Sequence, residues 1–242
     1  MALALSITVA IVAGGLASVA GFGIGSLLTP VLALTLGIKL AVAVVAIPHF
    51  AATAVRLWTL RRHVDRHIFG RFGLASALGG LVGALALTYV STAHLVILFG
   101  ILLVSAGLGA ATGWTDRFGL RGHWQLGAGV MSGLLGGIVG NQGGIRSAAL
   151  LSTNLDKKSL VATGTAIALL VDISRTPIYF ATQGHDIVSH WPLVLWMCAG
   201  VVCGTLLGRR VLLRVPETLF RRIVGSVILL LGLYMVYRGI WG

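Results

Sequence analysis

Two apolar stretches, residues 2–36 and 123–153, are each too long to cross a bilayer once and too short to cross it twice as full helices. One helical crossing takes about 20 apolar residues. Each stretch contains a glycine-rich interruption, which reads GFGIGSLLTP from Gly21 and GNQGGIRSAA from Gly140. Non-helical backbone at membrane depth is tolerated only where it is buried in protein or lines a wet cavity. The pattern therefore predicts two helices that enter the membrane, break at their glycines and return as re-entrant hairpins.

The composition is typical of a polytopic membrane protein. The chain has 242 residues, of which 57% are hydrophobic and only 10% are charged, more apolar surface than a soluble domain of this size buries. The formal net charge of +12 lies mostly in short loops, where basic residues indicate topology rather than nucleic-acid binding. We interpret residues 1–20 as membrane segment, since no positively charged start marks a secretory signal. Further apolar stretches near the length of one crossing lie at 38–60, 70–90, 94–113, 158–180, 191–208 and 219–240.

An internal repeat relates the two halves of the chain. A shift of 119 residues aligns the two long stretches without a gap, and it pairs Lys39 with Lys158 and Arg56 with Arg175. We predict a first membrane repeat at 1–113, a cytoplasmic linker at 114–122 and a second membrane repeat at 123–242. The predicted fold class is all-α, with a broken, re-entrant first helix and three spanning helices in each repeat.

The basic loops favour an inverted arrangement of the repeats. If each long stretch crossed the membrane once, loops 61–71 and 209–222 would lie on opposite faces. Re-entrant hairpins instead place both loops on one face, as the cytoplasmic bias of Lys and Arg requires. We therefore predict inverted repeats, with the basic loops cytoplasmic and both termini on the other face.

The two breaks carry the first candidate binding groups. A half-helix that begins at a break presents unpaired N–H donors and a partial positive charge, and such an end attracts anions. Arg146 lies in the first turn of the second returning half-helix, with no acidic residue nearer than Asp156, and is the predicted principal anion ligand. Snorkelling to the interface and pairing with backbone carbonyls are its alternative roles. The other candidate substrate-binding residues at the breaks are Gly21, Gly23, Gly25, Asn141, Gln142, Gly143 and Gly144.

Four polar candidate residues lie within the apolar stretches 38–60 and 158–180. Arg175 follows Asp172 by three residues, a spacing that suits either a local ion pair or substrate binding by the arginine. Asp172 is the candidate coupling group, which would take up and release a proton during transport. His49 is a candidate lining or titratable residue, and a hydrogen-bonded packing role is its alternative. Arg56, the mirror of Arg175, is predicted to snorkel toward the basic face.

No pattern in the sequence indicates an enzyme, a cofactor or a metal site. The five-residue spacing of Cys198 and Cys203 points their side chains in different directions on a helix, so we expect no disulfide between them. His63 and His67 have the spacing of a metal pair but no carboxylate or thiolate partner, and contact with lipid headgroups is the expected role. Zinc signatures, phosphate-binding loops and catalytic triads are missing from the sequence.

The glycine-rich interruptions resemble the paired GxGGGxxxxP signatures of the TauE/SafE family of sulfite exporters. The first copy keeps Gly23, Gly25 and Pro30; the second keeps Gly143 and Gly144 and places Ala149 where the proline would be. The resemblance extends over nearly the whole chain in hydropathy and order. It implies an eight-helix, duplicated transporter of the bacterial inner membrane, with a sulfur oxyanion or organosulfonate as substrate. With the basic loops cytoplasmic, both termini would then be periplasmic.

These observations together predict a secondary transporter, an exporter, for a small anion bound between the two breaks. Sulfite or a related sulfur oxyanion is the predicted substrate, and membrane lipid is the other expected partner. The sequence is also compatible with a homo-oligomer. The alternatives are a passive anion channel and an intramembrane thiol-redox protein that uses Cys198 and Cys203.

Overall fold

The computed structural model describes residues 2–20, 23–112, 124–140, 143–151, 153, 155–212 and 217–241. These residues form helices and short connections, and no strand occurs among them. A 3₁₀ turn at Arg61–His63 and a π-helical turn at Phe69–Gly73 lie between α3 and α5. The helices are α1 (Ala2–Ala20), α2 (Ile24–Leu36), α3 (Ile38–Leu60), α4 (Arg66–Ile68), α5 (Leu74–Tyr89), α6 (Thr92–Thr112), α7 (Trp124–Val139), α8 (Gly143–Leu151), α9 (Lys157–Ser189), α10 (Trp191–Leu212) and α11 (Glu217–Trp241).

The protein is an all-α polytopic membrane protein, as the sequence predicts. Six described helical segments are long and apolar enough to cross a membrane, by length and composition. Three shorter apolar helices belong to the two interrupted stretches: Ala4–Ser18, Ile24–Leu36 and Gln125–Val139. Each repeat therefore has one interrupted helix followed by three long ones.

Both predicted helix breaks are present. Helix α1 ends at Ala20 and α2 begins at Ile24, while α7 ends at Val139 and α8 begins at Gly143. The φ angles of Gly23 and Gly140 are 124° and 72°. Glycine adopts this left-handed region at no steric cost, whereas residues with a Cβ rarely do. The two glycines thus let the chain leave one helix and begin the next within a few residues.

Contacts along α9 show that α7 and α8 form a hairpin. Arg175 on α9 donates to the carbonyl oxygen of Gly136 near the end of α7, and Gly140 at the break also lies near Arg175. Beyond the break, Leu150 of α8 packs against Gly164 of α9. The residue number rises along α8 while that of its neighbours on α9 falls, so these two helices are antiparallel.

Helix α7 runs in the opposite sense to α8, because both α7 and α9 are parallel to α5. Close backbone contact joins Gly79 of α5 to Val130 and Gly83 to Leu134 on α7. The same face of the bundle brings Gly73 against Ile167 of α9 and Gly80 against Val171. Helix α8 is antiparallel to α9, and α7 has the same direction as α9. The chain therefore reverses at the break between α7 and α8, and the hairpin is re-entrant.

The first repeat makes the equivalent contacts, and the equivalent helices of the two repeats are antiparallel. Helix α1 packs parallel to α10, with Ile7 near Gly200 and Gly15 against Gly208. Helices α6 and α11 are antiparallel, as the contacts Gly107 to Gly225 and Ile97 to Gly239 require. Helices α3 and α9 are antiparallel as well. Asp65, which follows α3, donates its N–H to Thr163 Oγ1 at 2.9 Å, while His49, earlier in α3, contacts Asp172, later in α9. Equivalent helices of opposite direction are the property of inverted repeats.

The ends of the bundle follow from this arrangement. The turn at Arg61–His63 and the first residues of α9 lie at one end, which we call the basic end. At the opposite end Lys39 Nζ donates to the Thr88 carbonyl oxygen at 2.9 Å. Asp156 caps α9 at the basic end by accepting from the Lys158 N–H at 3.0 Å, and its hydrogen bond with the Ser159 side chain holds its pKa below the ordinary value. The predicted linker at 114–122 lies outside the described residues.

Helix α9 is longer than the apolar stretch that predicts it. The apolar stretch ends near residue 180, whereas the helix continues to Ser189. Gln183 has non-helical angles, φ −137° and ψ 19°, and therefore marks a kink where the apolar part ends. Beyond it, polar residues such as His185 and Asp186 are exposed. Hydropathy identifies the membrane-buried part of a helix but not its polar extension.

Candidate functional site

The two helix breaks meet in the middle of the molecule. A Cβ added to Gly25, in the first turn of α2, would overlap the carbonyl oxygen of Gly140 in the other repeat. Gly140 also lies beside Thr29 of α2 and Arg175 of α9. Gly23 has positive φ at the start of α2, as described above. The structure thus brings the beginning of α2 against the second break, as facing re-entrant tips require.

The second break leads directly into Arg146. Gly143 and Gly144 form the first turn of α8, and Arg146 follows with only 3% of its surface exposed. The Nε atom of Arg146 lies close to Gly164 of α9. Its Nη1 atom is buried and has no hydrogen-bond partner among the described residues. The predicted binding residues Gly21, Asn141 and Gln142 lie outside the described residues.

A guanidinium with an unpaired buried nitrogen is costly at membrane depth. Insertion scales give at least about 2.5 kcal/mol for an arginine at the centre of a membrane helix. Snorkelling relieves this cost only if the head reaches water, and Arg146 is buried. A bound anion offers the missing hydrogen-bond acceptor and a compensating charge together.

Arg56 and Arg175 make the same contact in the two repeats. Arg56 Nη1 donates to the carbonyl oxygen of Ala17 near the end of α1, and Arg175 Nη1 donates to that of Gly136 near the end of α7. Both pairs of partners are related by the shift of 119 residues. The Gly136 carbonyl oxygen also accepts from the Gly140 N–H at 3.0 Å, so it has two donors. The carbonyl end of a helix carries partial negative charge. Each arginine therefore stabilises the buried end of the interrupted helix of its own repeat.

The prediction that Arg56 snorkels is wrong. Only 7% of its surface is exposed, and its guanidinium lies against the end of α1 rather than at the membrane surface. The physical reason is that the carbonyl end of α1, with its partial negative charge, lies inside the protein and attracts the guanidinium. Arg56 Nε has no hydrogen-bond partner among the described residues, so this arginine also has a nitrogen available to an anion.

Asp172 joins the two repeats through its carboxylate. Arg175 contacts Oδ1 twice, from Nε at 3.0 Å and from Nη2 at 2.8 Å. His49 Nδ1 lies 2.6 Å from Oδ2, and Thr53 Oγ1, which donates to the His49 carbonyl oxygen, lies 3.3 Å from the same carboxylate oxygen. The carboxylate is fully buried. The predicted local ion pair between Asp172 and Arg175 is therefore present, and it extends to His49 in the other repeat.

We expect the Asp172→Ala variant to be strongly destabilised, because it leaves Arg175 buried without its counter-charge. Removing one partner of a buried ion pair costs about 3–5 kcal/mol. Asp186→Ala, an exposed acid on the same helix, is the matched control and should change stability by less than about 0.5 kcal/mol. Thermal unfolding of the two purified variants in detergent checks this difference. Equal melting temperatures would show that the pair does not stabilise the fold.

The described core carries more positive than negative charge. Arg56, Arg146 and Arg175 are buried there with one carboxylate, that of Asp172, so two positive charges have no protein counter-charge. Electrostatic interactions connect Arg146 with the two other arginines and with Asp172, which places all four groups in one cluster. Uncompensated buried charge is expensive in a low-dielectric interior. The cluster is thus suited to an anion of up to two negative charges.

Thr29 is a polar site residue that the sequence reasoning missed. It is fully buried on α2, and its hydroxyl has no hydrogen-bond partner among the described residues. The position Gly140 Cβ would occupy is 3.5 Å from Thr29 Oγ1 and 3.9 Å from Arg175 Nη1. Thr29 belongs to the first glycine-rich interruption, so its place in that motif was the available signal. The hydroxyl adds a neutral donor beside the charged cluster.

A small, open cavity of about 40 Å³ lies at the basic end, between α7, α8 and the segment before α5. The α8 part of its lining includes Leu150, one helical turn beyond Arg146. Arg146 itself does not line this cavity. Its lining residues are His67, Ile68, Arg71, Phe72, Gln125, Leu126, Ala149, Leu150 and Thr153.

Other candidate groups lie away from this cluster. Cys198 is half-buried on α10 and Cys203 is exposed, and both are free thiols. His63 and His67 are exposed at the basic end. Among the described residues, no group of three or more His, Cys, Asp or Glu side chains is arranged to hold a metal ion.

Comparison with known proteins gives one match. The family model described as "Sulfite exporter TauE/SafE" matches residues 6–235, which is nearly the whole chain. No curated protein and no solved structure matches the chain.

Proposed function

Because the chain belongs to the TauE/SafE family of sulfite exporters, we propose that it is a secondary transporter that exports sulfite or a related sulfur oxyanion. Family membership places it among membrane transporters. The observation that carries the choice of an anion is the buried Arg146, whose Nη1 has no partner among the described residues. This guanidinium lies just beyond a re-entrant break, where a transported solute is expected to bind.

The proposed binding site lies between the beginnings of α2 and α8. Both helices begin at a break, so their first N–H groups and the positive ends of their dipoles are directed toward the site. Arg146 supplies a charged fork of donors from α8, and Thr29 supplies a hydroxyl from α2. A sulfite dianion would match the two uncompensated positive charges of the cluster and accept hydrogen bonds through its oxygens.

Arg56 and Arg175 have a second role in this proposal. Each is held against the end of an interrupted helix, so each keeps its charge near the site without needing the anion to hold it there. They raise the local positive potential, while Arg146 makes the direct contact. Arg175 also belonged to the predicted binding residues, and we propose that it acts mainly through its charge.

Inverted repeats suit alternating access, in which one repeat moves relative to the other around a central site. The small cavity beside α8 lies at the basic end, one helical turn from Arg146. We propose that this end is cytoplasmic, because it collects the basic loops, and that both termini are periplasmic. An impermeant thiol reagent that labels an Arg62→Cys variant from outside intact cells would contradict this orientation.

Sulfite counterflow in reconstituted vesicles tests the proposed function. Vesicles that contain the purified protein and unlabelled sulfite are expected to take up labelled sulfite transiently and with saturation, because a carrier exchanges one bound anion for another. Protein-free vesicles are the control. Absence of counterflow, with correctly inserted protein, would contradict sulfite as the substrate. Flux that neither saturates nor responds to sulfite on the far side would indicate an anion channel instead.

A further inference from the structure

His49 and Asp172 are the pair of titratable side chains at the centre of the bundle. Asp172 is fully buried, and His49 is the one buried histidine among the described residues. They come from different repeats, His49 from α3 and Asp172 from α9, and His49 Nδ1 is 2.6 Å from Asp172 Oδ2. The pair therefore links the two repeats, which move relative to each other in a carrier of this architecture.

The hydrogen bonds assign different roles to the two residues. An ionised carboxylate only accepts, so His49 Nδ1 carries a proton and donates it to Asp172. Arg175 pairs with Oδ1 of Asp172, and Thr53 lies beside Oδ2. These contacts favour the ionised carboxylate, so Asp172 serves as a fixed negative charge. The second ring nitrogen of His49, Nε2, is then the atom that gains or loses a proton. About 11% of the His49 side chain is exposed, against none of Asp172, so a proton reaches the pair through the histidine.

The charges that face His49 connect its protonation to the anion. His49 contacts Asp172, and Asp172 belongs to the same charged cluster as Arg175 on α9, Arg56 on α3 and Arg146 on α8. A bound anion offsets the arginines and thereby makes proton uptake by His49 more favourable. By thermodynamic reciprocity, a proton on His49 strengthens anion binding to the same degree. Histidine is suited to this role because it changes charge between about pH 5 and 8.

We propose that His49, with Asp172 as its fixed counter-charge, is a proton-binding site that couples one proton to each transported anion. The proposal rests on the proposed function and adds the identity of the coupling ion. The proton binds at His49 Nε2 when the anion is bound and leaves from the same atom when the anion dissociates. A sulfite dianion and one proton then move together, so each cycle transfers one net negative charge.

The test uses vesicles with a pH difference across the membrane and a membrane potential clamped at zero. It measures the ratio of sulfite concentrations on the two sides at equilibrium. One coupled proton gives about a tenfold ratio of sulfite dianion across the membrane for each pH unit, with more on the alkaline side. The wild-type protein is expected to reach this ratio. His49→Gln, which keeps a hydrogen-bond donor but has no titratable nitrogen, is expected to give a ratio near one. Because only the ratio at equilibrium is compared, a slower variant does not disturb the result.

Four other outcomes would contradict the proposal or the proposed function. A tenfold ratio in both proteins would show that bisulfite itself carries the proton, and the proposal would be wrong. A wild-type ratio near one, or accumulation on the acidic side, would overturn it without any variant. If His49→Gln and a second variant, His49→Asn, are inserted but show no sulfite counterflow, the pair is needed for anion movement itself, which also overturns the proposal. Failure of wild-type counterflow would contradict the proposed function instead.

Discussion

The Arg146→Ala variant is expected to lose sulfite counterflow by about a hundredfold or more while it still inserts into the membrane. Arg146 is buried, and its Nη1 has no partner among the described residues, so the proposed anion supplies the acceptor for that nitrogen. Truncating one member of a buried, hydrogen-bonded charge pair costs about 2–5 kcal/mol. A loss of about 3 kcal/mol lowers binding roughly a hundredfold. Initial rates of counterflow, normalised to inserted protein, measure the effect.

Two further variants test whether counterflow depends on the location of the arginine charge and on the shape of the guanidinium. Arg62→Ala removes the same charge from the exposed turn at the basic end and should retain counterflow. Arg146→Lys keeps a positive charge but loses the planar fork of donors, so an intermediate rate is expected. Wild-type counterflow in Arg146→Ala would mean that Arg146 does not bind the anion.

Stability distinguishes a binding role for Arg146 from a structural one. Replacing a buried charge that has no compensating protein partner with an apolar side chain removes a desolvation cost. Arg146→Leu should therefore melt at the same temperature as the wild-type protein or higher when no anion is present. Asp172→Ala should melt lower, since it breaks a formed pair. Similar destabilisation in both variants would indicate that Arg146 supports the fold rather than the ligand.

The repeat and the breaks were accessible from sequence because they depend on local rules. Excess segment length and clustered glycines predict an interruption, and both interruptions occur at the expected positions. The shift of 119 residues pairs Arg56 with Arg175, and their acceptors, Ala17 and Gly136, have the same offset. Here the alignment of the two halves predicts tertiary equivalence, since each arginine contacts a helix of its own repeat.

Contacts between the repeats were not accessible in this way. His49 and Asp172 are separated by 123 residues and belong to positions that the repeat does not equate, so no pattern within either half predicts their contact. The snorkelling assigned to Arg56 failed for a different reason, since its contact with α1 lies within the first repeat. Arg56 lies close to the basic loop 61–71 in the sequence, which favoured a position at the membrane surface. The end of α1, however, supplies a carbonyl acceptor inside the protein. Thr29 likewise becomes a site residue only when α2 packs beside Gly140.

The Gly25→Ala variant is expected to lose transport entirely, because the two breaks approach each other without room for a methyl group. An alanine Cβ at this position would overlap the carbonyl oxygen of Gly140 and lie 3.2 Å from its carbonyl carbon. Both atoms belong to the backbone, so no side-chain rotation relieves the clash. Overpacking of a well-packed core costs about 1–3 kcal/mol when neighbours can shift, and here the shift separates the helix beginnings that form the proposed site.

Gly127→Ala is the matched control, since it is the same substitution on the interrupted helix α7. A Cβ at Gly127 would meet no atom within 4 Å, and alanine favours helix by about 1 kcal/mol over glycine. This variant should keep wild-type counterflow and melt at the same temperature or slightly higher. Gly23→Ala should fall between the two, because its space is open but its φ of 124° is strained for alanine. If Gly25→Ala retained transport as Gly127→Ala does, the two tips would not need to touch, and the anion would have to bind elsewhere than between them.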